Sequence, residues 1–462
     1  MLINYRCQYF LNLLRSGIIL LINLPAIGQA ETPDITSEEY VKQIYIATST
    51  AWPEIEKIWS TPAFRNIRLI IADSRDVWAV DSKSMTKIPY SEVKQRNLSV
   101  EYMHYKEIQW PDGRPTLYIS MGSSLPEKEK SRFRSEKKPV PELFNVATHE
   151  AFHFFVQAAS WKDEEQGVFT RATAYPVQPL PRLYRNNIIR ALYASLLGDP
   201  DGLGHARYWS DLWGKRYSDE ASNIRLTDVE EGSARYVEMA AEIIAQGIRF
   251  NTQEFQYALT EKIKDGASVV YTSADIESYT IGALAGFILN TQKSGWQQDV
   301  EQGIPPLEAL LKDIQPIKER VDKELFVNIK SQVREINNTT GIDRFVRAYK
   351  YPGVIKIFID QEISGSYEAR GFFRTNDLPY DIMTGFSSSA DWTYGNYSIN
   401  KGIAAAINSE EPGYNGKNNI LLLYAGQIPP NEDGRLILNT KNMSLNIPYP
   451  DNLENTRIIY LP

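Results

Sequence analysis

Two of the four histidines in this chain of 462 residues lie four positions apart, in Val146-Ala147-Thr148-His149-Glu150-Ala151-Phe152-His153. On a helix positions i and i+4 share a face, so both imidazoles can reach one metal ion. The pattern HExxH lies here in a helix-like context. Glu150 lies about 100° further round the same turn, from where its carboxylate can take a proton from metal-bound water. Pro139-Val140-Pro141-Glu142 reads as the start of that helix. Proline is tolerated in a first turn, and the helix dipole favours glutamate there. The residue types point to a zinc-dependent hydrolase.

A length of 462 residues predicts two or three domains, and a hydrophobic fraction of 43% with 23% charged residues predicts sizeable cores. The formal charge of −7 leaves no basic excess to bind phosphates, so nucleic acid is not expected as a partner. Residues 1–30 read as a secretory signal peptide. Arg6 and Arg15 precede the apolar run Gly17 to Ile22, and Gly28 and Ala30 put small residues at −3 and −1 of a cut before Glu31. An uncleaved N-terminal anchor is the alternative. Either way the remainder is expected outside the cytoplasm, periplasmic or secreted, with no stable membrane span once the signal is removed. The one cysteine, Cys7, lies inside that segment, so the mature chain would have neither a disulfide nor a thiol ligand.

The texture along the chain predicts an α+β fold. Ser37-Glu38-Glu39 opens a helix. Residues 68–72, 77–80 and 116–120 read as strands, and 126–138 as a charged loop, solvated or acting as a mobile lid. Helices are expected over 183–197, 206–217, 226–246, 252–264, 276–290 and 317–333. After the breaker Tyr351-Pro352-Gly353 the strands 354–359, 371–373, 419–424, 435–438 and 457–460 predict a C-terminal all-β sandwich or barrel. The expected organisation is a signal peptide over 1–30, a catalytic domain over 31–348 and a β-rich domain over 349–462.

A catalytic zinc needs a third protein ligand and one open position. Cysteine is excluded, and His104 and His205 have no partner at ligand spacing. The best source is Val229-Glu230-Glu231-Gly232-Ser233-Ala234-Arg235-Tyr236-Val237-Glu238, on a predicted helix whose small residues Gly232, Ser233 and Ala234 would let it approach the HExxH helix closely. Glu231 is the expected ligand and Glu230 its rival.

HExxH followed by a helical Glu-Gly-x-Ala-x-Tyr, here Glu231 to Tyr236, resembles the gluzincin metallopeptidases, the thermolysin-like peptidase MA group. The resemblance covers two short motifs and the general order of a small β-sheet, the HExxH helix and a mostly helical half. It implies a zincin-like catalytic domain with one Zn2+ per chain on His149, His153 and Glu231, and Glu150 as general base. It also implies a downstream oxyanion donor, for which Tyr279 in Ser278-Tyr279-Thr280 is the leading choice and Tyr236 and His205 weaker ones. The chain departs from the pattern in its long interval between His153 and Glu231. It also has Arg235 where thermolysin-like enzymes place an aspartate that orients a histidine. No Gly-x-Met-Glu-Asn exopeptidase motif is present.

The expected function is an exported zinc metallopeptidase, an endopeptidase, that cleaves a peptide or protein substrate by Glu-assisted attack of zinc-bound water. A catalytically inactive envelope or secreted binding protein on a gluzincin-like scaffold is the alternative. Hydrolysis of a non-peptide amide or ester is a third reading that the motif also allows.

Overall fold

The structure is a computed structural model that describes residues 34–96, 98–161, 170–360, 367–431 and 433–461. The segment expected as a signal peptide, 1–30, lies outside the described residues. The fold is mixed α and β, with helices and sheets segregated along the chain as in an α+β protein. No helix among the described residues is long and apolar enough to cross a membrane. These residues group into two compact units, one of 34–161 with 234–269, the other of 170–233 with 270–461.

The first unit opens with the helix Ser37–Ala51, whose N-terminus is closed by a reciprocal Thr36–Glu39 capping box. Its inward stripe is Tyr40, Val41, Ile44 and Ala47. Five strands follow: β1 (Arg68–Asp73), β2 (Val77–Val80), β3 (Met85–Ile88), β4 (Tyr105–Gln109) and β5 (Pro115–Gly122), in the order β3-β2-β1-β5-β4. Only β1 and β5 run parallel. Both are buried without alternation, from Leu69 in β1 and from Thr116 in β5, as suits a central parallel pair covered on both faces. His104 is buried beside this sheet, where desolvation, with a lesser contribution from Lys106, lowers its pKa to about 4. It is a neutral core histidine.

The stretch expected as a charged loop over 126–138 is instead largely the helix Glu127–Ser135. Its charges are mostly solvated, but Glu129 is fully buried and does structural work. Its Oε1 accepts from the backbone N–H of Glu142 at 2.8 Å and from the Tyr40 hydroxyl at 2.8 Å, while Arg132 holds Oε2 at 2.8 Å. A side chain distant in sequence thus caps the helix Glu142–Phe152, whose own preceding residue, Pro141, offers no capping group. The segment anchors the HExxH helix.

Five of the six expected helices stand close to their predicted places, among them Pro179–Leu196, Gly202–Arg216 and Ala274–Gln292 of the second unit. The sixth begins later, at Lys323, because Asp322 accepts from the N–H groups of Glu324 and Leu325 and so sets the start. Ile317, expected inside that helix, donates its N–H to the carbonyl of Gly204.

The C-terminal strands form one ten-stranded sheet with β6 (Thr173–Ala174). They are β7 (Ile355–Asp360), β8 (Tyr367–Glu368), β9 (Gly371–Arg374), β10 (Asp381–Trp392), β11 (Gly395–Ala406), β12 (Asn418–Tyr424), β13 (Arg435–Asn439), β14 (Met443–Pro448) and β15 (Ile458–Leu461). The main order is β15-β7-β12-β11-β10-β9-β6, with β8 on β10 and the β13–β14 hairpin joined to β11. Because β6 pairs with β9, the strands expected to stand alone from residue 349 group with the preceding helices.

Candidate metal centre

The HExxH residues sit at the end of the helix Glu142–Phe152, where the backbone widens into a π-type turn over His153–Gln157. Such turns are rare and concentrate at functional sites. The helix is fixed from its far side by Trp52, whose indole N–H donates to Thr148 Oγ1 at 3.0 Å. His149, Glu150 and His153 are all buried, with exposures of 6%, 6% and 1%.

The two imidazoles are oriented by residues that the sequence reading did not single out. His149 Nδ1 lies 3.1 Å from Glu238 Oε2, and His153 Nδ1 is bonded to Gln157 Oε1. Carboxylate and amide oxygens accept, so each Nδ1 carries the proton and each Nε2 presents its lone pair. The two Nε2 atoms face each other at 3.0 Å. Two converging lone pairs at that distance repel unless a cation sits near both. Zinc–nitrogen bonds of about 2.05 Å at a tetrahedral angle place two nitrogens about 3.3 Å apart, so the pair fits such an ion to within a few tenths of an ångström.

Glu238 comes from the helix Arg225–Ala245, and Arg235 on the same helix bonds its other oxygen. Glu231 precedes Glu238 by seven residues on this unbroken helix, two turns away on one face. One ligand atom each from His149, His153 and Glu231 lies within 4.8 Å of the others. The three residues form a buried group that could hold a metal ion, and no other group of this kind occurs among the described residues. Two neutral imidazoles and one carboxylate are a donor set that suits zinc. Glu230, the rival ligand, is only half-buried and does not belong to the group.

The close approach expected of Gly232 is real, but its partner is a different helix. Gly232 packs on Gly282 of the helix Ala274–Gln292; a Cβ on Gly282 would lie 2.2 Å from the Gly232 Cα. That crossing brings Glu231 beside Tyr279. The Tyr279 hydroxyl accepts from Arg171 Nη2 at 2.7 Å and also bonds Glu231. Burial pushes its pKa well above the usual value, so it stays protonated. Arg171 itself bonds Glu231 Oε1 at 3.0 Å and Asp275 Oδ1 at 2.6 Å. Tyr236 is fully buried and His205 half-buried on the helix Gly202–Arg216; neither joins the metal group.

A second buried charge network lies one turn before Glu231. Arg185 holds Asp228 with two bonds of 2.8 and 3.0 Å, reaches Glu277 at 3.2 Å and lies over the Trp213 ring at 4.6 Å. Arg182 donates to the same Glu277 oxygen at 2.6 Å.

The signals for these missed residues were present but weak. Glu238 stands two helical turns after Glu231 and Gln157 one turn after His153. Nothing in the sequence marks Arg171. No family model, curated protein or solved structure matches the chain.

Proposed function

We propose that this chain is a zinc-dependent metallopeptidase of the gluzincin type, with a zincin-like catalytic domain. The observation that carries the reading is the buried convergence of His149, His153 and Glu231. A catalytic glutamate follows the first histidine, and separate acceptors fix both ring tautomers.

His149, His153 and Glu231 would hold the ion. Bound there, zinc would supply a Lewis acid for the scissile carbonyl and bring the pKa of a water towards about 7. Glu150 takes a proton from the attacking water on its carboxylate and delivers it to the leaving amine nitrogen. Glu238 keeps the His149 proton on Nδ1, and Gln157 does the same for His153, so that both Nε2 atoms remain donors of a lone pair. The burial of all three ligands excludes bulk water and strengthens the electrostatics on which proton transfer depends. The charged N-terminal segment followed by an apolar run favours an exported enzyme.

The test pairs metal content with turnover in the purified chain. We expect about one zinc per chain, lost in His149→Ala. We expect Glu150→Gln to keep the zinc and lose hydrolysis of a mixed peptide library. A chain that stays metal-free when zinc is offered would favour the binding-protein alternative. Zinc retention with ester but not peptide turnover would favour the non-peptide hydrolase.

A further inference from the structure

We infer that Arg171, Asp275 and Tyr279 form a clamp that positions Glu231 as a ligand, and that Tyr279 belongs to this clamp instead of serving as an oxyanion donor. The inference rests on the zinc reading above and names how its third ligand is held.

The geometry of the clamp is closed on every side. Arg171 gives Nη1 to Glu231 Oε1 and Nε to Asp275 Oδ1, and Nη2 reaches both Asp275 Oδ2 at 3.2 Å and the Tyr279 hydroxyl at 2.7 Å. Since that hydroxyl accepts from Arg171, its own proton is directed to Glu231. Asp275 and Tyr279 are one turn apart on the helix Ala274–Gln292, and Gly282 follows one turn later at the contact with Gly232. The residue next to the ligand therefore fixes the spacing between the helices, and the clamp fixes the ligand's side chain.

Arg171 is itself held by short backbone and side-chain ties. The Thr170 carbonyl accepts from Thr227 Oγ1 at 3.2 Å, and Thr170 Oγ1 donates to Asp381 at 2.8 Å. Thr173 Oγ1 accepts from the N–H of Ala274 at 2.9 Å, and β6 pairs with β9. The segment is tied to the ligand helix, to the clamp helix and to the sheet, so the guanidinium is placed before any ion binds.

A buried ion network of this kind is weak evidence of stabilisation, because desolvation offsets much of the Coulomb gain. Its arrangement has a use at a metal site. Arg171 and Asp275 cancel in charge, so the pair orients Glu231 without repelling a cation. With Oε1 committed to Arg171, Glu231 is disposed to offer one oxygen, not two.

The test is a constant-charge double variant, Arg171→Met with Asp275→Asn, compared with Tyr279→Phe and the unaltered chain. Zinc affinity is read by competition with a chelating dye, and folding by melting without metal. We expect the zinc Kd to rise about tenfold or more in the double variant, the scale of lost outer ligand contacts, and several-fold in Tyr279→Phe. A network that only stabilises the fold would lower the melting temperature and leave the Kd of the folded chain unchanged. A Kd within twofold of the unaltered chain in the folded double variant overturns the clamp. If that variant does not fold, the same result in Tyr279→Phe, which loses a single oxygen at no change of charge, overturns it. If the unaltered, folded chain binds no zinc, the metallopeptidase reading falls and takes the clamp with it.

Discussion

At the scale of single residues, the site depends on where protons sit. A histidine ligates through a nitrogen lone pair, and the group opposite its other nitrogen decides which one is available. Glu238 does this for His149 and Gln157 for His153. Glu238→Ala removes the acceptor and frees the ring to rotate. We expect zinc affinity to fall about 10- to 100-fold, measured by dye competition, with Glu150→Gln as the control that binds like the unaltered chain. Arg235, one turn before Glu238 on the same helix, bonds the other oxygen of that carboxylate and steadies it.

At the scale of elements, one helix start and one helix crossing decide the geometry. The Gly232–Gly282 contact leaves no room for a methyl group between two backbones. Gly282→Ala forces the helices apart, and a destabilisation of about 1–3 kcal/mol is expected, read from urea unfolding. The helix that carries HExxH starts at Glu142, where the dipole favours an anion by roughly 0.3–1 kcal/mol. Burial and the neighbouring Glu129 carboxylate oppose it and raise the Glu142 pKa from 4.5 to about 7. A raised folded-state pKa means that the protonated form is preferred in the fold. The associated stability is fully present below pH 4.5 and is lost as the pH rises through 7, an effect on the order of 3 kcal/mol. Glu142→Gln should therefore match the unaltered chain in stability near pH 4.5 and exceed it at pH 8. Melting at the two pH values checks this; an equal difference at both would remove Glu142 as the titrating group.

At the scale of the whole molecule, the three ligands come from distant parts of the sequence and are assembled only in the folded chain. An ion that binds the fold and not the unfolded chain stabilises it by about 2.7 kcal/mol at a hundred times its Kd. Added zinc should raise the melting temperature with concentration and a chelator should lower it, while His149→Ala should respond to neither. The sequence by itself determined the local facts. HExxH called for a helix and the chain has one; apolar periodicity placed five of the six helices expected after it within a few residues; apolar runs marked β1, β2, β5, β7, β9, β12, β13 and β15 but not the long hairpin β10–β11. Those signals are legible because each depends on neighbours no more than four positions away. Tertiary structure decided the rest. It chose Glu231 over Glu230, turned the charged segment over 126–138 into an anchoring helix, and joined the C-terminal strands to β6. It also brought Arg171 to Glu231 from about sixty residues earlier in the chain. A buried charge has no periodic signature in sequence. Its meaning lies in the opposite charge it meets, and only the folded chain makes that pair.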